Sequence, residues 1–156
     1  MKKIILMLIT FLWICPSVFS QVLTNSQKEK ITSEISVFFE EHMKAGENLD
    51  GNGLSGRVSD TLKAGFIDNG IFLNSFDEVM RGFNEGMQGV KSLKYSISNK
   101  KITVLADNAA LLTAFGNASL ALEDGRIFTS GFAWTFVYSK VNDSWKVIHT
   151  HMSTPR

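Results

Sequence analysis

Leu93-Lys-Tyr-Ser-Ile-Ser98 alternates apolar and polar residues, and the period of two that starts at Val90 continues to Met152. Side chains two apart on a strand share a face, so this alternation marks half-buried strands. The spacing predicts a strand from Val90 to Val104, bulged at Asn99-Lys100-Lys101, then strands Ala109 to Leu122, Arg126 to Lys140 and Ser144 to Met152. Asp107-Asn108, Asp124-Gly125 and Asn142-Asp143 supply the turns. Consecutive strands joined by short turns pair antiparallel. Strands of roughly 10–15 residues exceed the usual length of five or six, so they must bend. Gly116 and Gly131 are placed to allow it.

Upstream of the meander the signals change. Ser75-x-x-Glu78 is a capping box that opens a helix to about Gln88, with Phe76, Val79, Met80, Phe83 and Met87 on one stripe. Asn69-Gly70 is a type I′ turn signal between Phe66-Ile67 and Ile71-Phe72-Leu73, which predicts a short hairpin. The stretch from Gly46 to Gly56 is turn-rich, and a short helix is expected around 57–63. Asp50-Gly51-Asn52 is similar to the start of a calcium loop, but Leu54 and Thr61 stand where oxygen ligands are needed, so it reads as a surface loop. Ser26-x-x-Glu29 caps a first helix of about 26–45, with Ile31, Ile35, Phe38, Phe39 and His42 at helical spacing and Gly46 as its stop. Together these describe an α+β domain: two or three helices packed on the concave face of a curved antiparallel sheet.

The extreme N-terminus reads differently again. Met1-Lys2-Lys3 precedes an apolar run from Ile4 to Ile14, and Val18-Phe19-Ser20 ends in a small residue before Gln21. That is a cleavable export signal over residues 1–20, followed by one domain over 21–156. The apolar run is too short for a membrane anchor, which needs about 20 residues. Ile14 before Cys15 argues against lipid attachment at that cysteine. Taking Lys2 and Lys3 from the 16 basic residues leaves 14 against 15 acidic ones, a net charge near −1. The only cysteine is lost with the signal, so disulfides cannot stabilise the rest. A near-neutral chain without a basic cluster lacks the footprint of a nucleic-acid binder, and no polybasic stretch suggests membrane attachment after cleavage. The expected location is secreted or periplasmic, in a bacterium.

Trp145-Lys-Val-Ile-His149-Thr-His151-Met-Ser153-Thr-Pro155 resembles the last strand of SnoaL-like domains in the nuclear transport factor 2-like superfamily. It is similar also to the end of the calcium/calmodulin-dependent protein kinase II association domain, where a Trp, two alternating histidines, a Ser and a Pro recur. Thr129-Ser130 and the order of elements over 26–155 fit the same pattern. The resemblance implies a cone-shaped (cystatin-like) domain, often dimeric, with a cavity between sheet and helices. It implies no single activity, since such domains include isomerases, cyclases, dehydratases and interaction modules.

On a regular last strand Trp145, Val147, His149 and His151 would share one face, and Ile148, Thr150 and Met152 the other. Two readings of the histidines follow. Facing a cavity, His149 or His151 could transfer protons; on the outer face they serve structure or a dimer interface. Neither brings a third ligand, so no metal is expected, and no cofactor either. The resemblance would place the kinase domain's cavity arginines near Ala118, Phe136 and Met152, all apolar here. Carried over by parity, it makes Phe132, Trp134, Phe136, Ile148, Thr150 and Met152 the cavity lining, with Ala114, Gly116 and Ala118 leaving room. Alternatively these aromatics simply fill the core. His42 could face inward from the first helix; Asp68 reads as support for the Asn69-Gly70 turn. The expected function is an exported, dimeric domain that binds a small, largely apolar molecule or simply pairs with itself, with an isomerase, cyclase or dehydratase using His149 or His151 as the alternative. Phe132-Ala-Trp-Thr-Phe-Val-Tyr138 is apolar on both faces, and that motivates the homodimer.

Overall fold

The computed structural model describes residues 22–154; the expected export signal and Pro155 lie outside the described residues. Helix α1 spans Asn25–Glu47. Its cap is Thr24 rather than Ser26: Gln27 N–H donates to the Thr24 hydroxyl at 3.2 Å, and Thr24 N–H donates to Gln27 Oε1 at 2.8 Å. Thr24-x-x-Gln27 is an equally good box, and starting there gains hydrogen-bonded residues at no further nucleation cost. Gly46 does not stop the helix. It is buried inside the last turn, where a Cβ would come within 3.3 Å of the Tyr95 ring.

The second helix forms earlier than expected. Asp50 caps it by accepting from Gly53 N–H at 2.9 Å, which makes α2 Gly51–Ser55. Residues 57–63 cannot be helical because Val58 is drawn into a parallel bridge with Val147. Strands β1 (Phe66–Asp68) and β2 (Ile71–Leu73) form the hairpin, with Asn69 and Gly70 at φ of 48° and 85° as a type I′ turn demands. Helix α3 (Phe76–Gly86) is capped by the Ser75 hydroxyl, which accepts from Glu78 N–H. The Glu78 carboxylate reaches Asn74 N–H instead of Ser75, so the box is offset by one residue.

Then come β3 (Val90–Ala106), β4 (Ala109–Leu122), β5 (Ile127–Val141) and β6 (Ser144–Ser153), an antiparallel meander. The strand order is β2-β1-β6-β5-β4-β3, and the sheet is mixed rather than wholly antiparallel. Strand β1 runs parallel to β6, with Ile67 opposite His151 and Asp68 opposite Met152. The backbone groups on the free side of β6 would otherwise be an open edge; β1 covers them and leaves the three-residue β2 outermost.

Two irregularities set the geometry. The β3–β4 register shifts between Ile97 and Asn99, close to the expected bulge, and there Gly116 lets the chains meet. A Cβ on Gly116 would collide with the Ser96 carbonyl oxygen, so its missing side chain makes room for backbone and not for a cavity. The second shift lies in β5–β6: Val137 faces His149 while Tyr138 faces Val147, so Ile148 is an extra residue. The core lies between α1 and the sheet. Ile31, Ile35 and Phe39 pack on Ala110, Leu112, Phe136, Tyr138, Trp145 and Val147. Burying each large side chain contributes about 1.5–3 kcal/mol. Trp145 Nε1–H also donates to Glu34 Oε2 at 2.8 Å, which fixes α1 across the end of the sheet.

Candidate functional site

Beside that core the sheet and the helices part to leave a small cavity of about 130 Å³. Its sheet wall is Tyr95, Trp134, Phe136, Val147, Thr150 and Met152; α1 adds His42, Met43 and Gly46; Leu54 and Val58 close one side. The cover is α3, whose stripe Phe76, Val79, Met80 and Phe83 faces the space although no residue of α3 is fully buried. Aromatic side chains on alternate positions of β5 form a ladder. Phe132 stacks on Trp134 at 3.9 Å between centroids, Trp134 meets Phe136 edge to face, and Phe136 stacks on Tyr138.

The Ile148 bulge overturns the expected parity of β6. A bulge puts two residues against one, so the faces swap at that point. Trp145 and Val147, before it, share the inner face with Thr150 and Met152, after it. His149 and His151 are therefore on the outer face, opposite the cavity. His149 Nδ1–H donates to the Gly65 carbonyl at 2.8 Å and ties the preceding loop to the sheet. His151 is exposed in an open groove with Thr113, Phe115 and Thr135. Of the six residues expected to line the cavity, Trp134, Phe136, Thr150 and Met152 do so. Ile148 is displaced by its bulge, and Val147 takes its place. Phe132 is buried against Trp134 and Tyr95, outside the lining. Ala114, Gly116 and Ala118 do not reach it. Asp68 ends β1, its Oδ1 accepts from Asn69 Nδ2, and partial burial raises its pKa.

The residue of most chemical interest is His42. It is buried at 8% exposure, edge to face with Phe136 at 5.8 Å. Its Nδ1 is enclosed and without a hydrogen-bond partner. Burial, helped by the Arg57 charge, pushes its pKa down to about 4, so the ring is neutral near pH 7. Arg57 itself pairs with Glu41 at 2.8 Å and lies over the Phe38 ring at 5.7 Å; its Nε is also enclosed and unpartnered. Tyr95 is the other titratable lining group, held up at about 12 by burial and the Glu47 charge. Among the described residues no three His, Cys, Asp or Glu side chains converge as metal ligands would. The helical spacing that found α1 pointed to His42. The lining from α3 was legible as an amphipathic stripe, whereas Tyr95 and Val147 depended on the sheet register.

A curved mixed sheet whose concave face is covered by helices around one cavity is the nuclear transport factor 2-like, or cystatin-like, architecture. The SnoaL-like domain model matches residues 35–156, and the chain belongs to that family. A nuclear transport factor 2-like superfamily protein from Salmonella enterica superposes with a TM-score of 0.73 at 16% identity, over 83% of this chain and 94% of that one. The association domain of Caenorhabditis elegans CaMKII gives 0.61 at 15% identity, over 83% and 96%. A hexachlorocyclohexane dehydrochlorinase gives 0.70 at 10% identity, over 85% and 90%. At such identities the likeness is one of fold. No curated protein matches the sequence. Among the described residues no helix is long and apolar enough to cross a membrane.

Proposed function

We propose that this SnoaL-like domain is exported by its first 20 residues and binds a small, largely apolar molecule in the cavity under α3. The observation that carries this reading is the lining: seven of its side chains are aliphatic or methionine, five are aromatic besides the His42 imidazole, and none carries a charge near pH 7. A concave apolar space with few polar groups is the common form of a small-molecule site. Calorimetric titration of hydrophobic ring compounds tests it. Trp134→Ala should weaken binding by about tenfold or more, since it removes one wall. The His149→Ala/His151→Ala double variant should bind as the parent does. Equal loss in both variants would sink the reading.

The domain also pairs with a second copy in this proposal. Phe115 is 53% exposed on the outer face, opposite Ala133 and diagonal to Thr135, and one structural relative is an association domain. Light scattering should give a dimer mass that Phe115→Asp converts to a monomer.

An enzyme of elimination or isomerisation type is the second reading, favoured by one observation: an imidazole in the cavity. It would rest on His42 rather than His149 or His151, which do not reach the space. A base held near pKa 4 with no carboxylate in the lining is a weak proton acceptor. Binding is therefore the better-supported function.

A further inference from the structure

We propose that His42 makes the cavity selective for a neutral, ring-sized molecule carrying one hydrogen-bond-accepting oxygen, to which its Nε2–H donates. This rests on the reading of the cavity as a binding site and names the ligand class. Three features of the lining carry it.

First, the polar content is small and uncharged. His42, Tyr95, Thr150 and the indole N–H of Trp134 are the polar side-chain groups of an otherwise apolar lining. Arg57, whose charge acts on His42, is paired with Glu41 and does not line the space. A carboxylate ligand would thus be buried unpaired, which costs far more than burying a neutral oxygen.

Second, the geometry around His42 sets its tautomer. Nδ1 is enclosed and has no partner, and the ring feels the neighbouring Arg57 charge. An N–H on the enclosed Nδ1 would have no acceptor, so the ring proton is assigned to Nε2. With Nδ1 enclosed, the edge the ring turns to the cavity is the one that carries Nε2. No protein acceptor meets it, so a ligand oxygen placed there gains a hydrogen bond that an apolar ligand cannot make.

Third, the size is limiting. An apolar cavity of about 150 Å³ takes benzene, and this one, at about 130 Å³, suits a single six-membered ring.

The test compares cyclohexanone with methylenecyclohexane, which has the same shape without the acceptor, and with cyclohexanecarboxylate, by calorimetric titration of the purified protein. Cyclohexanone should bind about tenfold more tightly than methylenecyclohexane, the worth of one good hydrogen bond, and the carboxylate should not bind. His42→Leu should abolish the preference while binding methylenecyclohexane as before; His42→Gln, whose amide can donate from a similar position, should keep it. Nitrogen-15 resonances of the His42 ring give an independent readout, so the idea stands or falls even if His42→Leu misfolds. They should show a neutral ring protonated at Nε2 that responds to cyclohexanone and not to methylenecyclohexane. Equal affinities in the parent, a preference that survives His42→Leu, or a proton on Nδ1 would each overturn the assignment. Binding of methylenecyclohexane without preference would leave the cavity reading intact and remove only this one; binding of neither ring would remove both.

Discussion

The inner and outer faces of β5 and β6 are built from interleaved residues of the same strands, yet they hold imidazoles in opposite conditions. Inside, Trp134, Phe136, Thr150 and Met152 border a cavity into which α1 delivers the buried His42. Outside, Thr135, His149 and His151 border an open groove or tie a loop. One histidine is desolvated and its hydrogen-bonding capacity is unspent; another spends Nδ1 on the Gly65 carbonyl; the third faces water. Which face a histidine occupies therefore decides whether it can serve recognition, and in β6 a single extra residue, Ile148, makes that choice.

The comparison can be broken most forcefully at its inner side. Phe136→Ala removes a side chain that is 2% exposed and contacts Phe39, His42, Trp134 and Tyr138. It should lower unfolding free energy by about 3–5 kcal/mol in urea titration, whereas Thr113→Val on the outer face should change it by about 0.5 kcal/mol or less. Similar losses at both positions would mean that the faces are not energetically distinct.

Acid offers the next test. His42 titrates near 4 when folded and near 6.5 when unfolded, so between these values the unfolded chain binds the extra proton. This contribution is complete above pH 6.5 and is lost as the pH falls towards 4, an effect on the order of 3 kcal/mol. Denaturation midpoints at pH 7.5 and 4.5 should therefore fall less in His42→Gln than in the parent. An identical fall in both would show that His42 is not the buried neutral group.

The smallest effect separates the two outer histidines. His149→Ala breaks the bond to Gly65 and should cost about 1 kcal/mol, while His151→Ala on the exposed side should stay within about 0.5 kcal/mol. Thermal melts of both variants resolve the difference.

Much of the fold was legible because its signals are local. Asn69-Gly70 favours positive φ, Ser75 is a strong helix cap, and the strict alternation over Leu93–Ser98 suits a sheet with one buried face. The first helix was placed correctly but its start was not, since Thr24-x-x-Gln27 and Ser26-x-x-Glu29 are both acceptable boxes two residues apart. The site was only half legible. Trp134, Phe136, Thr150 and Met152 followed from parity, but parity assumes a regular strand, and the Ile148 bulge breaks it for Trp145 and Val147. Nothing in the spacing of β6 announces that bulge.

By itself, then, the chain's pattern of apolar residues determined the elements, their order and the α+β class, because each element answers to hydrogen bonds and periodicities within a few residues of itself. Tertiary structure decided three further matters: that β1 joins β6 in parallel, that the histidines of β6 turn outward, and that His42 is left desolvated against the cavity. Each depends on groups far apart in sequence competing for the same edge, face or volume. That competition is settled only when the whole sheet has curved around α1.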